Sequence, residues 1–220
     1  MNAVDFLAWV RGPMFSIALI IFIFGVTVRL LEMLLIGRKP DYSEARESPF
    51  AGGMRTIFRR FMPADTDTLK RSTVIIFAGY VFHIGFFIIL LLFVPHILLI
   101  KETLGIQWAG LPTPIIDAAT VMTLLALLVL LINRLVNPVL RFLSTFQDYL
   151  IWLLTFLPVL TGYMAFHHFI QPYQLVLALH ILSVELLMIV FPFTKLMHTF
   201  TLFFARWYNG AVAGRKGVKA

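Results

Sequence analysis

Six histidines stand in a chain that has no cysteine: His83, His96, His167, His168, His180 and His198. Four of them, His83, His96, His180 and His198, fall inside long apolar stretches. An ionisable side chain within a membrane is costly, and it usually faces a cavity, a partner or a cofactor. A neutral imidazole offers one lone-pair nitrogen, so two facing imidazoles can hold an iron macrocycle from both sides. An iron closed in this way has no position for oxygen or substrate and carries electrons. The missing cysteines exclude disulfides, iron–sulfur ligation, covalent haem attachment through Cys-x-x-Cys-His and thiol catalysis. The chemistries left to intramembrane histidines are non-covalent haem ligation, hydrogen bonding between helices, and proton relay. A relay normally adds intramembrane carboxylates. Here only Glu32, near the inner end of the first apolar stretch, and Glu185, in the fifth, are placed for one.

The elements that must position these side chains follow from composition. Of the 220 residues, 60% are hydrophobic and 13% charged, against about 45–50% and about 25% in a soluble domain. A soluble globular enzyme is excluded. Five apolar stretches, at about 13–36, 73–100, 115–132, 149–166 and 173–204, match the ~20 residues that a span needs. They lack strand-like alternation, so they read as helices. The first has no basic n-region and no small-residue cleavage site, and reads as a retained span. The expected fold is all-α, a single membrane domain of five transmembrane helices over 1–220.

Charge sets the direction. The segment from Gly37 to Ser72 carries Arg38, Lys39, Arg46, Arg55, Arg59, Arg60, Lys70 and Arg71. The third connection adds Arg134 and Arg141, and the tail adds Lys195, Arg206, Arg215, Lys216 and Lys219. Facing the other way are Arg11 and Lys101. This bias places the N-terminus outside and the C-terminus in the cytoplasm, in a multi-pass protein of the inner (cytoplasmic) membrane. The net charge of +7 is then a topology signal rather than the footprint of a nucleic acid. Within the basic loop, Met54, Ile57, Phe58 and Phe61 recur at helical spacing among Arg55, Arg59 and Arg60. They predict a short amphipathic helix at the interface, suited to lipid headgroups or to a docked cytoplasmic protein.

Spans two and five run antiparallel in this topology. His83 and His198 then lie level nearer the cytoplasm, and His96 and His180 lie level nearer the outside. Two level pairs of imidazoles are what two stacked haems require of a helix bundle. His180 and His198 are 18 residues apart. On a straight helix that is five turns, with both rings on one face about 27 Å apart. His83 and His96 are 13 residues apart, about 20 Å with a rotation of roughly 220°. Pro95 and Pro192 are placed to kink these helices and shift that register.

The stretch Phe82-His83-Ile84-Gly85 resembles the Phe-His-Ile-Gly motif of the respiratory nitrate reductase gamma subunit family. The stretch Phe191-Pro192-Phe193-Thr194-Lys195-Leu196-Met197-His198 is similar to that family's Phe-Pro-Phe-Ser-Arg-Leu-Ile-His segment on span five. The placing of His180, the count of five spans and the N-terminal orientation also match in outline. Related membrane subunits serve heterodisulfide reductase-like, sulfite-reductase-linked and hydrogenase-linked complexes. The resemblance implies a di-haem cytochrome b that anchors a quinone-linked oxidoreductase. It implies two haem b groups, menaquinone or ubiquinone as substrate, and a cytoplasmic-side iron–sulfur protein with a catalytic subunit as partners. By position, His83 and His198 would hold the inner haem and His180 the outer one. His96 is the remaining span-two histidine and is taken as the fourth ligand, although its separation from His83 departs from the family pattern. His168 is the substitute.

Lys101, just past span two, is a candidate contact for a quinone carbonyl, or simply snorkels. Arg29 is a candidate partner for a haem propionate, or pairs locally with Glu32 one turn on. His167 and His168 sit at the outer end of span four as interfacial residues or as proton-exchanging groups at a quinone pocket. Two rival functions remain: a haem-free transporter or assembly scaffold with structural histidines, and a stand-alone electron carrier of the cytochrome b561 type.

Overall fold

The computed structural model describes residues 2–36, 42, 44–62 and 66–218. Arg38, Lys39 and Lys219 of the charge pattern lie outside the described residues. Among the described residues there is no strand, and the fold is all-α. Five helices are long and apolar enough to cross a membrane: Ala3–Leu35, Leu69–Leu92, Thr113–Val136, Phe146–Phe166 and Tyr173–Phe193. Large apolar side chains such as Phe24, Phe77 and Ile132 stay more than half exposed along them. In water such surfaces would be sticky; in a bilayer they are the lipid face.

The first span joins α1 (Ala3–Trp9) to α2 (Phe15–Leu35) through one π turn, Val10–Met14. Asn2 and Asp5 form a capping box at its start. Pro13 lies in the π turn, where its missing N–H and its ring are accommodated by the wider winding. Next comes the amphipathic helix of the basic loop, α3 (Pro49–Arg59), opened by Ser48 with Pro49 in its first turn. The second span is α4 (Thr66–Leu92). It leaves helical geometry at Ser72 (φ −123°, ψ 18°), where the polar start gives way to the apolar run.

Two expected spans are broken. The stretch at 73–100 is not one helix: α4 stops at Leu92, Phe93 is extended, and α5 (Val94–Leu104) starts afresh around Pro95. Pro95 has no N–H for Leu91 O and its ring would press on that carbonyl, so it is tolerated in the first turn of a new helix and not inside a continuous one. It ends at Gly105, whose φ of +74° suits glycine. The stretch at 173–204 is not one helix either. α6 (Thr113–Val136), α7 (Pro138–Leu143) and α8 (Phe146–Phe166) lead to α9 (Tyr173–Val190), which stops before Pro192. Two 3₁₀ turns, Phe191–Phe193 and Lys195–Met197, flank an extended Thr194, and α10 (His198–Arg215) follows. The five-turn register between His180 and His198 therefore does not apply, and neither does the single-helix rotation between His83 and His96.

The chain divides into two compact units. Unit 1 comprises Met1–Leu19 and Thr73–Leu187. Its helices meet through small and hydroxylated residues, the usual contact in a bilayer. Gly85 lies where a Cβ would strike the Thr123 hydroxyl, so α4 approaches α6 closely. Thr120, Thr123 and Thr155 are buried and return their hydroxyl protons to carbonyls four residues back. The Trp152 indole on α8 donates to Leu127 O on α6 at 2.8 Å.

Unit 2 comprises Ile20–Ser72 and Met188–Ala220. Here α3 packs on α10 through glycine. Gly52 faces the backbone of Gly210 and Gly214, Gly210 faces Thr56, and Gly53 faces the Trp207 indole. The side of α3 that packs is thus Gly52, Gly53 and Thr56, while Phe50 and Phe58 stay exposed. Phe22, Phe191 and Phe200 cluster with centroids 5.3–6.2 Å apart, and Gly25 admits the Pro192 ring.

Candidate functional site

The break at Phe93 builds the site. A helix end leaves its last carbonyls without partners, and each needs one where no water reaches. Three of the four at the end of α4 are satisfied from beyond the break. Ile89 O takes Nδ1 of His96 at 2.9 Å, Leu91 O takes the Trp108 indole, and Leu92 O takes Leu111 N at 2.9 Å. Gly110 lets that loop close over the break, since a Cβ there would lie 2.7 Å from Val94. His96 is fixed as the Nδ1–H tautomer, and its Nε2 carries the lone pair.

His180 on α9 comes to meet it. The two ring centres are 6.3 Å apart and the planes differ by 18°. Gly162 on α8 makes room: a Cβ there would sit 2.9 Å from His180 Cε1. The Thr161 hydroxyl donates to Leu157 O at 2.6 Å, so its oxygen is placed to accept from His180 Nδ1 at 3.4 Å. The Nε2 of His180 is then a lone-pair nitrogen too. Phe93 stands edge-on to His96 at 5.2 Å and to Phe166 at 4.9 Å.

This spacing has a chemical meaning. Metal–imidazole bonds of about 2 Å, with about 1 Å more from each nitrogen to its ring centre, put two imidazoles that share one metal ion about 6 Å apart between centres. Among the described residues no cluster of three or more His, Asp or Glu side chains could hold a bare ion.

His83 belongs to unit 1 and His198 to unit 2. His83 Nδ1 lies 2.7 Å from Gly79 O one turn back, and Phe82 packs on its ring at 4.7 Å. A Cβ at Gly79 would meet nothing within 4 Å. His198 opens α10 with Nδ1 2.8 Å from Lys195 O. In both rings Nδ1 is thus the nitrogen anchored to the backbone. A ring held through its other nitrogen is the usual condition of a metal-binding histidine.

The remaining sequence candidates fall out differently. Arg29 pairs with Glu32 at 2.9 Å and donates through Nε to Pro192 O at 3.3 Å, so it also anchors the broken end of span five. Lys101 is exposed near the end of α5. His168 adopts φ +54° and stacks on Tyr173 at 4.5 Å; it is His96 that the structure brings to His180. Glu185 is fully buried, with neither carboxyl oxygen bonded. Sequence reasoning missed Asp117. It sits near the start of α6 with Oδ1 2.9 Å from His167 Nε2. The available signal was an acid inside an apolar run, which is a functional hypothesis by default in a membrane chain.

The chain is similar to a protein of Nitratidesulfovibrio vulgaris strain Hildenborough, 27% identical over 211 residues, covering 92% of this chain and 91% of the relative. No family model matches the chain, and no solved structure matches it.

Proposed function

We propose that this chain is a di-haem cytochrome b subunit of a quinone-linked respiratory oxidoreductase in the cytoplasmic membrane. The observation that carries the reading is the His96–His180 pair, two lone-pair Nε2 atoms on rings 6.3 Å apart. The Phe82–Gly85 and Phe191–His198 motifs support it, and so does the common Nδ1 anchoring of all four histidines. The residues present fit the group. His96 and His180 would hold one haem b and His83 and His198 the other. When bound, the haems supply two one-electron centres without an open coordination position.

The chain's own residues set the conditions. Ile89 O, Thr161, Gly79 O and Lys195 O fix the ring orientations, which raises the basicity of the ligating nitrogens. Phe93, backed by Phe166, shields the His96 ring. Arg29 would pair with a propionate while keeping Pro192 in place. Lys101, on the same helix as His96, would donate to a quinone carbonyl. The basic face of α3 and α10 would receive a cytoplasmic-side iron–sulfur protein and its catalytic subunit, which must supply the cluster chemistry that a cysteine-free chain lacks.

The test is a reduced-minus-oxidised spectrum with a pyridine haemochrome assay on purified protein. About two haem b per chain are expected, and no haem would leave the transporter or scaffold reading. His96→Ala and His83→Ala should each remove one haem. Co-purification with an iron–sulfur protein separates a subunit from a stand-alone b561-type carrier.

A further inference from the structure

The end of unit 1 that carries His96 and His180 holds a second pair of titratable groups. Asp117 Oδ1 and His167 Nε2 are 2.9 Å apart. Their side chains are 29% and 28% exposed, so the pair is shielded on most sides and open on one. Aromatic contacts join it to the first pair. His167 packs on Phe166 at 5.3 Å, Phe166 on Phe93 at 4.9 Å, and Phe93 on His96 at 5.2 Å. Tyr163 and Phe169 complete the surroundings of the His167 ring, at 4.6 and 5.4 Å.

The tautomers separate the two pairs. An ionised carboxylate can only accept, so His167 donates through Nε2 and keeps its lone pair on Nδ1. That is the reverse of His83, His96, His180 and His198, whose Nδ1 atoms are occupied. An imidazole oriented by a carboxylate at one nitrogen, and stabilised by it once protonated, is arranged as a general base.

We propose that His167, oriented by Asp117, is the proton acceptor of a quinol site at this end of unit 1. The proposal rests on the quinone-linked reading above. Oxidation of one quinol to quinone breaks two O–H bonds and releases two electrons and two protons. The electrons leave singly to an acceptor of the haem class. The first hydroxyl proton goes to His167 Nδ1, with the Asp117 carboxylate balancing the charge on the ring. His167 then passes it to water at the exposed edge of the pair and takes the second. Asp117 is a positioning residue in this scheme, and Tyr163 and His168 are the other titratable side chains beside His167.

The experiment uses the purified full-length protein with its haem, and menadiol as the quinol probe. Three readings are taken for each variant: haem content, reducibility by dithionite, and menadiol affinity from quenching of tryptophan fluorescence, beside the rate of haem reduction by menadiol. His167→Phe should keep haem content and dithionite reduction, lose menadiol affinity several-fold, and slow reduction by menadiol about 10²-fold. Asp117→Asn should slow it about 10-fold, and Asp117→Glu should recover most of the rate, which a packing role would not predict. Unchanged menadiol affinity and rate in His167→Phe, with haem intact, overturns the proposal. If the wild-type protein carries no haem, the reading beneath it fails, and menadiol affinity still decides the pair. Affinity lost in His167→Phe supports the site, and affinity retained overturns it. If His167→Phe loses haem or does not fold, Asp117→Asn against Asp117→Glu decides the matter by the same readings.

Discussion

Pro95 and Pro192 both mark the end of a membrane helix, and both are followed by a histidine whose Nδ1 bonds a backbone carbonyl, Ile89 O for His96 and Lys195 O for His198. The two breaks differ in length and in what repairs them. At Pro95 the interruption is one extended residue, Phe93. Its carbonyls are taken by His96, Trp108 and Leu111, all later in the same stretch of chain. At Pro192 the interruption runs through two 3₁₀ turns. Pro192 O is taken by Arg29, which is 163 residues away in sequence. Phe191 O is taken by Thr194. The first break is a local step that aims one ring. The second is a junction tied down from another helix.

That contrast can be broken experimentally. The largest effect is expected at Gly162→Leu, because any side chain there meets the His180 ring that the first break is built to face. On the di-haem proposal, one of two haems should be lost in the haemochrome assay, with the other retained. Pro95→Ala comes next. Restoring a helix former favours running α4 through Phe93 by up to ~3 kcal/mol, which pulls His96 off Ile89 O. Occupancy of that centre should fall several-fold, whereas Pro192→Ala, which leaves the Pro192 carbonyl for Arg29, should keep haem content. Gly25→Val tests the second junction directly, since a Cβ at Gly25 would lie 2.6 Å from Pro192 Cβ. Thermal unfolding in detergent should show a loss of about 1–3 kcal/mol, without change at His96 and His180. Trp108→Phe leaves Leu91 O without its donor and should cost about 1–3 kcal/mol, visible as faster amide exchange around residues 89–92. Arg29→Lys is expected to be smallest, about 1 kcal/mol or less, because the pair with Glu32 is half-exposed and the bond to Pro192 O is long at 3.3 Å.

The spans were legible because hydropathy over about 20 residues is a property of a segment alone. The broken ends were not. A proline announces a missing donor, but whether the helix kinks or stops depends on who takes the freed carbonyls. Trp108 and Arg29 do that from positions with no local signature. The His96–His180 pairing was reached from level depth, and the structure arrives at the same pair through the break rather than through the helical register the spacing suggested. The role of Asp117 has no local sign beyond its charge, because its partner His167 lies 50 residues on and is brought to it only by packing. For α3, hydrophobic periodicity picked out Met54, Ile57, Phe58 and Phe61. The side packed on α10 is a different one, Gly52, Gly53 and Thr56, where the absence of side chains permits close approach, and Phe58 and Phe61 stay exposed. The Gly210-x-x-x-Gly214 spacing was the available sign.

The glycine seam between α3 and α10 also has a consequence for how the protein is made. The two helices meet almost backbone to backbone, yet about 140 residues separate the end of α3 at Arg59 from the start of α10 at His198. At roughly 5–20 residues per second, α3 waits on the order of ten seconds after synthesis before its partner exists. Four membrane crossings are threaded in that interval. Unit 2 therefore closes late, and the bare groove of Gly52, Gly53 and Thr56 is a surface that nascent chains present and finished molecules do not.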